Sequence, residues 1–95
     1  MKKAFQISNN CIIEITFLMD ENDIDILIKH NNNEFRMRCI FDDSSALQLY
    51  NICENKMGKW VKSINNGRQY INIEKDYLTL YLRCNDSDLE IKLPL

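Results

Sequence analysis

Two glycines, one proline, one histidine and one tryptophan are all that 95 residues hold of these types. Each scarcity excludes something. Gly58 and Gly67 are too far from any G-x-x-x-x-G-K pattern to build a phosphate loop. The single histidine, His30, has no nucleophile near it in sequence and stands beside Asn31, Asn32 and Asn33. It reads as a surface turn histidine rather than a general base or a cysteine partner. The four cysteines, Cys11, Cys39, Cys53 and Cys84, form no C-x-x-C pair, whereas zinc sites take paired ligands from tight turns. No run approaches the ~20 apolar residues of a membrane helix. Lys2 and Lys3 could open a signal peptide, but Gln6, Ser8, Asn9 and Asn10 interrupt the apolar stretch and Glu14 follows. The expectation is a cytoplasmic protein with no membrane span, no metal and no cofactor.

What is present suits one globular domain over residues 1–95. The chain is 45% hydrophobic and 27% charged, which argues against disorder. A net charge of -2 is too mild to imply a strong electrostatic partner and disfavours a nucleic-acid backbone. Abundant Asn, Ile and Lys beside scarce Gly and Pro suggest an AT-rich genome, bacterial or phage.

Alternation of apolar and polar residues predicts strands over 4–8, 11–18, 24–29 and 34–41, separated by turns at Asn9-Asn10, at 19–23 and at 31–33. Cys11, Ile13, Ile15 and Phe17 share one face, as do Ile24, Ile26 and Ile28, and Phe35, Met37, Cys39 and Phe41. Short polar turns between such runs imply an antiparallel meander. The period then changes to 3.6. Ala46, Leu49, Tyr50, Cys53, Met57, Trp60, Val61 and Ile64 fall on one stripe, with N-cap candidates in Asp42, Asp43 and Ser44 and a C-terminal cap in Gly67. One long helix over 44–65 is the reading, with Lys56, Lys59 and Lys62 on its free face. Gly58 is its one blemish, marking a kink, a break or a close contact with the sheet. Strands return over 70–74, 77–84 and 89–93, the last two joined by a turn at 85–88.

The predicted fold is therefore α+β, an antiparallel sheet of about five or six strands in βββ(β)-α-βββ order, with the helix across its inner face. A helix of ~22 residues spans ~33 Å, enough to cross several strands. All four cysteines land on inward positions and read as small core hydrophobes.

No constellation of catalytic type accompanies this plan, so no enzymatic activity is expected. Asp20, Asn22 and Asp25 imitate part of a calcium loop, but Asp25 occupies the position of the required glycine and Asn31 that of the closing glutamate. Asp86, Asp88 and Glu90 fail similarly. The outward face of the sheet carries Arg36, Arg38, Tyr77, Tyr81 and Arg83 among the acids Glu14, Asp25, Glu34 and Glu90. Mixed sign disfavours single-stranded nucleic acid, whereas Tyr and Arg are enriched in protein interfaces. Those five residues are the candidate partner-binding set, and a second copy of the chain is an alternative occupant of the same face.

The order of alternating strands, then Asp42-Asp43-Ser44-Ser45-Ala46-Leu47 with Trp60 and Ile64, then Ile71-Asn72-Ile73-Glu74, Leu78-Thr79-Leu80 and Leu89-Glu90-Ile91, resembles small bacterial immunity proteins of the WapI type over residues 11–93. The resemblance implies a tight toxin partner and no catalysis, and it assigns no binding residue. Small phage proteins that block host defence systems share the profile: short, slightly acidic and free of motifs. The function expected is a small inhibitor that neutralises a partner protein by stoichiometric binding. The alternative is a module that binds or sequesters a small ligand or nucleotide, as an oligomer or through a pocket.

Overall fold

The computed structural model describes residues 1–17, 23–40, 43–64, 67–84 and 87–95, with side chains except at 23, 39–40, 43, 63–64, 67, 83–84 and 87–88. The chain is α+β. Four strands, β1 (Lys2–Ser8), β2 (Cys11–Phe17), β3 (Asp23–His30) and β4 (Asn33–Ile40), form one antiparallel meander in sequence order. The helix α1 (Asp43–Asn55) follows. Then β5 (Gly58–Ile64), β6 (Gly67–Ile73), β7 (Tyr77–Cys84) and β8 (Ser87–Pro94) form a second meander. The single sheet of five or six strands is thus replaced by two sheets of four.

The turns obey local chemistry. Asn31 and Asn32 form the two-residue link between β3 and β4, and Asn31 adopts φ 54, a left-handed conformation that asparagine tolerates. The predicted turn at 19–23 falls largely outside the described residues, as do Asn65, Asn66, Asn85 and Asp86.

Alternation then decides the packing. Ile13, Ile15, Ile26 and Ile28 of the first sheet join Trp60, Ile71, Leu78 and Leu80 of the second in one buried cluster, with Leu49 and Cys53 of α1. Two half-apolar sheets in one core make a sandwich, each giving one face to the interior and one to water. Each fully buried Ile or Leu contributes roughly 1.5–3 kcal/mol relative to exposure. The helix lies against β1 and β5, an edge strand from each sheet. There Tyr50 stacks on Phe17 at 5.3 Å and meets Phe5 edge-on at 5.5 Å.

The predicted helix over 44–65 is right only in its first part. Ala46, Leu49, Tyr50 and Cys53 form the inward stripe, but the helix stops at Asn55. Lys56 adopts φ 58, and the Met57 N–H donates to Ile52 O at 3.3 Å, the six-residue closure of a Schellman cap. Gly58 follows with φ 123, and a Cβ there would lie 3.1 Å from Ile52 Cγ1. Gly58 therefore marks the change from helix to strand. Gly67, read as the helix cap, instead begins β6. Trp60 is fully buried as a strand residue. Met57 and Val61, placed on the apolar stripe by sequence, are exposed, and Leu89, read as inward, is 53% exposed. Lys59 and Lys62 belong to β5, not to a helix face.

Cys11 and Cys53 are buried free thiols, as their inward positions implied. The side chains of Cys39 and Cys84 lie outside the description. Among the described residues, no helix is long and apolar enough to cross a membrane.

Candidate protein-docking face

The sandwich has two outer faces, and it divides the five candidate residues between them. Arg36 and Arg38 stand on β4 in the first sheet, whereas Tyr77, Tyr81 and Arg83 stand on β7 in the second. They do not form one surface, because the inner faces of the sheets lie between them. The Arg83 side chain is not among those described.

On the outer face of the first sheet, charges largely satisfy one another. Glu14 accepts from Lys2 at 3.0 Å and from Lys29 at 3.1 Å. Those two ammonium groups hold its carboxyl below its ordinary range, against the opposing effect of burial. Arg38 donates through Nε to Asp25 at 3.1 Å. Asp25 is thereby a cross-strand ion-pair partner of Arg38, which stands opposite it in the ladder. Such a face is a solvated one.

The outer face of the second sheet is different. Register places Val61, Tyr70, Tyr81 and Glu90 side by side in one row across β5, β6, β7 and β8. A second row runs Lys59, Asn72, Thr79 and Lys92. The rings of Tyr70 and Tyr81 stack with centroids 5.2 Å apart and planes within 5°. From the other flank of β6, Lys59 Nζ sits 4.9 Å from the Tyr70 centroid. Lys92 Nζ sits 4.4 Å from the Tyr77 centroid. The Tyr70 hydroxyl donates to Glu90 Oε1 at 3.4 Å, reaching across the β7 row position. Burial first, and the Glu90 carboxylate second, raise the Tyr70 phenol above its ordinary value of 10, so it remains a neutral donor.

These contacts hold the Tyr70, Tyr77 and Tyr81 rings against their neighbours on the sheet. Stacked aromatic pairs contribute ~0.5–1.5 kcal/mol beyond area burial, and exposed cation–π contacts ~0.5–1 kcal/mol. Thr79 is buried although it points outward, so the central side chain of this face is already covered by its neighbours. Val61 at 45% and Tyr77 at 41% exposure leave apolar surface on the same sheet. Tyr70, Lys59 and Val61 were not singled out by sequence. Tyr70 was legible as an outward residue, since Ile71 and Ile73 alternate inward. Lys59 and Val61 were hidden by assigning their segment to the helix.

Elsewhere, Asn9 and Asn10 of the β1–β2 turn and Asn31 and Asn32 of the β3–β4 turn line an open hollow of about 390 Å³ with Ile12 and Lys29. His30 is buried rather than a surface residue, and its ring donates from Nε2 to Pro94 O. Among the described residues, no group of three His, Cys, Asp or Glu side chains comes together as a metal site. Comparison with protein-family models, with curated proteins and with solved structures finds no match for the chain.

Proposed function

We propose that this chain acts by binding another protein stoichiometrically and neutralising it, as an immunity protein does with its toxin or a phage inhibitor with a host defence component. The observation that carries the reading is the row Val61, Tyr70, Tyr81 and Glu90, with Lys59 and Lys92 beside it. Tyrosine is enriched among the residues that dominate binding energy, and a side chain already held in place loses little entropy on docking. The face does not suit base stacking as well. Tyr70 has Tyr81 on one flank and Lys59 on the other, whereas single-strand platforms offer open ring faces. Tyr77 and Tyr81 are retained from the sequence set, and Tyr70, Lys59 and Val61 join them. Arg36 and Arg38 belong to the other outer face and take no part in this contact.

Affinity capture with the purified chain as bait, from the native host or its prey cell, tests the reading. The expected result is one dominant protein, forming a complex of fixed stoichiometry by native mass spectrometry and losing its own activity in that complex. Recovery of no such protein, or of one whose activity is untouched, contradicts it.

The small-ligand reading has one observation in its favour, the hollow formed by Asn9, Asn10, Ile12, Lys29, Asn31 and Asn32. Its volume is within the range of small-molecule sites, though such sites are mostly apolar and this one is lined chiefly by carboxamides. A thermal-shift screen against nucleotides decides it, and no shift with any ligand removes it.

A further inference from the structure

The two edges of the first sheet differ. At β1 the register shifts between Gln6 and Ser8, and α1 lies against the strand. At β4 no strand pairs with the outer edge among the described residues. Natural edges are usually blunted with lysine, proline or a bulge. β4, with the sequence NEFRMRCI, has no lysine and no proline, and its register with β3 runs unbroken from Asn33 to Ile40. β8, the corresponding edge of the second sheet, carries Lys92 and ends in Pro94, which has no N–H to offer.

The loop fixes which groups β4 presents. His30 and Asn33 close a two-residue hairpin, and such a pair exchanges both backbone hydrogen bonds. Every second residue of β4 from Asn33 onward then bonds back to β3. Glu34 and Arg36 turn their N–H and C=O groups to the edge. Their side chains are exposed, and neither has an ion-pair partner among the described residues, unlike Lys2, Glu14, Asp25, Lys29 and Arg38 on the same face.

We propose that β4 pairs antiparallel with β4 of a second copy of this chain, with Glu34 opposite Arg36 of the other copy and Phe35 opposite Phe35. Charge selects this register. It creates two Glu–Arg pairs related by the two-fold axis, and opposite charges directly across a ladder stabilise while like charges destabilise. A shift of two residues one way keeps two Glu–Arg pairs, Glu34 with Arg38, but adds Arg36 against Arg36 and draws Arg38 from its pair with Asp25, and the other way sets Glu34 against Glu34. A larger shift sets Arg36 against Arg38. On the inner side, Phe35 is only partly buried at the margin of the core, and its counterpart would cover it. The product is a continuous eight-stranded sheet whose outer strands are the two β1 strands, each with α1 against it. This contact is separate from the tyrosine face, so either can fail while the other stands.

Sedimentation equilibrium of the full chain is the test. The wild type should pass with concentration from 11.3 kDa to twice that mass. Glu34→Arg alone and Arg36→Glu alone should each raise the dimer Kd roughly tenfold or more, and the double exchange should restore it. Circular dichroism checks that each variant folds. In the wild type, the Glu34 and Arg36 amides should exchange more slowly as concentration rises, a readout that needs no substitution. A wild-type chain that stays monomeric, a dimer indifferent to the single exchanges, or one not rescued by the double exchange overturns the proposal.

Discussion

His30 on β3 donates from Nε2 to the backbone oxygen of Pro94 on β8 at 2.9 Å. The bond joins the two sheets through residues 64 positions apart in the chain. Removing the ring leaves a carbonyl without its partner at a part-buried site, which costs roughly 1–3 kcal/mol. His30→Ala is therefore expected to lower the urea midpoint with little change in slope, and His30→Gln, which keeps a donor, to recover part of the loss. An alanine variant as stable as the wild type would show that the bond does not hold the sheets together.

The end of α1 gives a paired prediction. Lys56 occupies a left-handed position that glycine adopts without penalty, so Lys56→Gly should stabilise by roughly 0.5–1 kcal/mol. Gly58 has φ 123, and a methyl group there presses on Ile52, so Gly58→Ala should destabilise by more than about 1 kcal/mol. Opposite signs in thermal melts are the expected outcome. Two changes of the same sign would mean that the helix does not end here.

Acid sensitivity should trace in part to Glu14. Its folded-state carboxyl titrates below the ordinary value of 4.5, because Lys2 and Lys29 bond to the charged form. A depressed folded value means the unfolded chain binds the proton more readily. The contribution is complete above pH 4.5 and is lost as pH falls through the folded value. Stability measured across the acid range should fall less steeply for Glu14→Gln than for the wild type. Parallel curves would remove the assignment.

The thiols carry the opposite sign. Burial pushes Cys11 up to about 11 and Cys53 up to about 12, the neighbouring Cys11 adding to the latter. Near neutral pH both should react slowly with a thiol reagent when folded and quickly in denaturant. Because the folded values lie above the ordinary 9.0, their stabilising contribution is present below pH 9 and is lost as pH rises toward 11–12. Rapid labelling of Cys53 in the folded chain would place α1 wrongly.

Strand alternation made most of this fold legible. The inward sets Cys11, Ile13, Ile15 and Ile24, Ile26, Ile28 are buried as read, and the Asn31 turn has the backbone that asparagine suggested. The helix was overextended because Cys53, Met57, Trp60, Val61 and Ile64 satisfy helical spacing by coincidence. In the strand, Trp60 points inward while Val61 points out. Gly58 held the deciding information, but its positive φ is a property of the folded backbone. The error then propagated. A helix of ~33 Å could roof one large sheet, whereas 13 residues reach only about 20 Å, and the two apolar sheet faces cover each other instead. For the same reason, alternation alone sets Arg36 and Tyr81 on one outward face, whereas the two sheets separate them. Outwardness is a local property that alternation reveals, but which outward residues share a surface depends on strand pairing between distant segments. His30 was misread for a similar cause, since its partner, Pro94, lies at the far end of the sequence.

The most direct test of the central claim is the affinity of the captured partner for face variants, measured by isothermal titration. Tyr70→Ala with Tyr81→Ala should weaken binding by ~2 kcal/mol or more, about thirtyfold, while the exposed helix pair Gln48→Ala with Asn51→Ala leaves it unchanged. A tyrosine double variant that folds and binds like the wild type, or a helix pair that abolishes binding, contradicts the placement of the docking face.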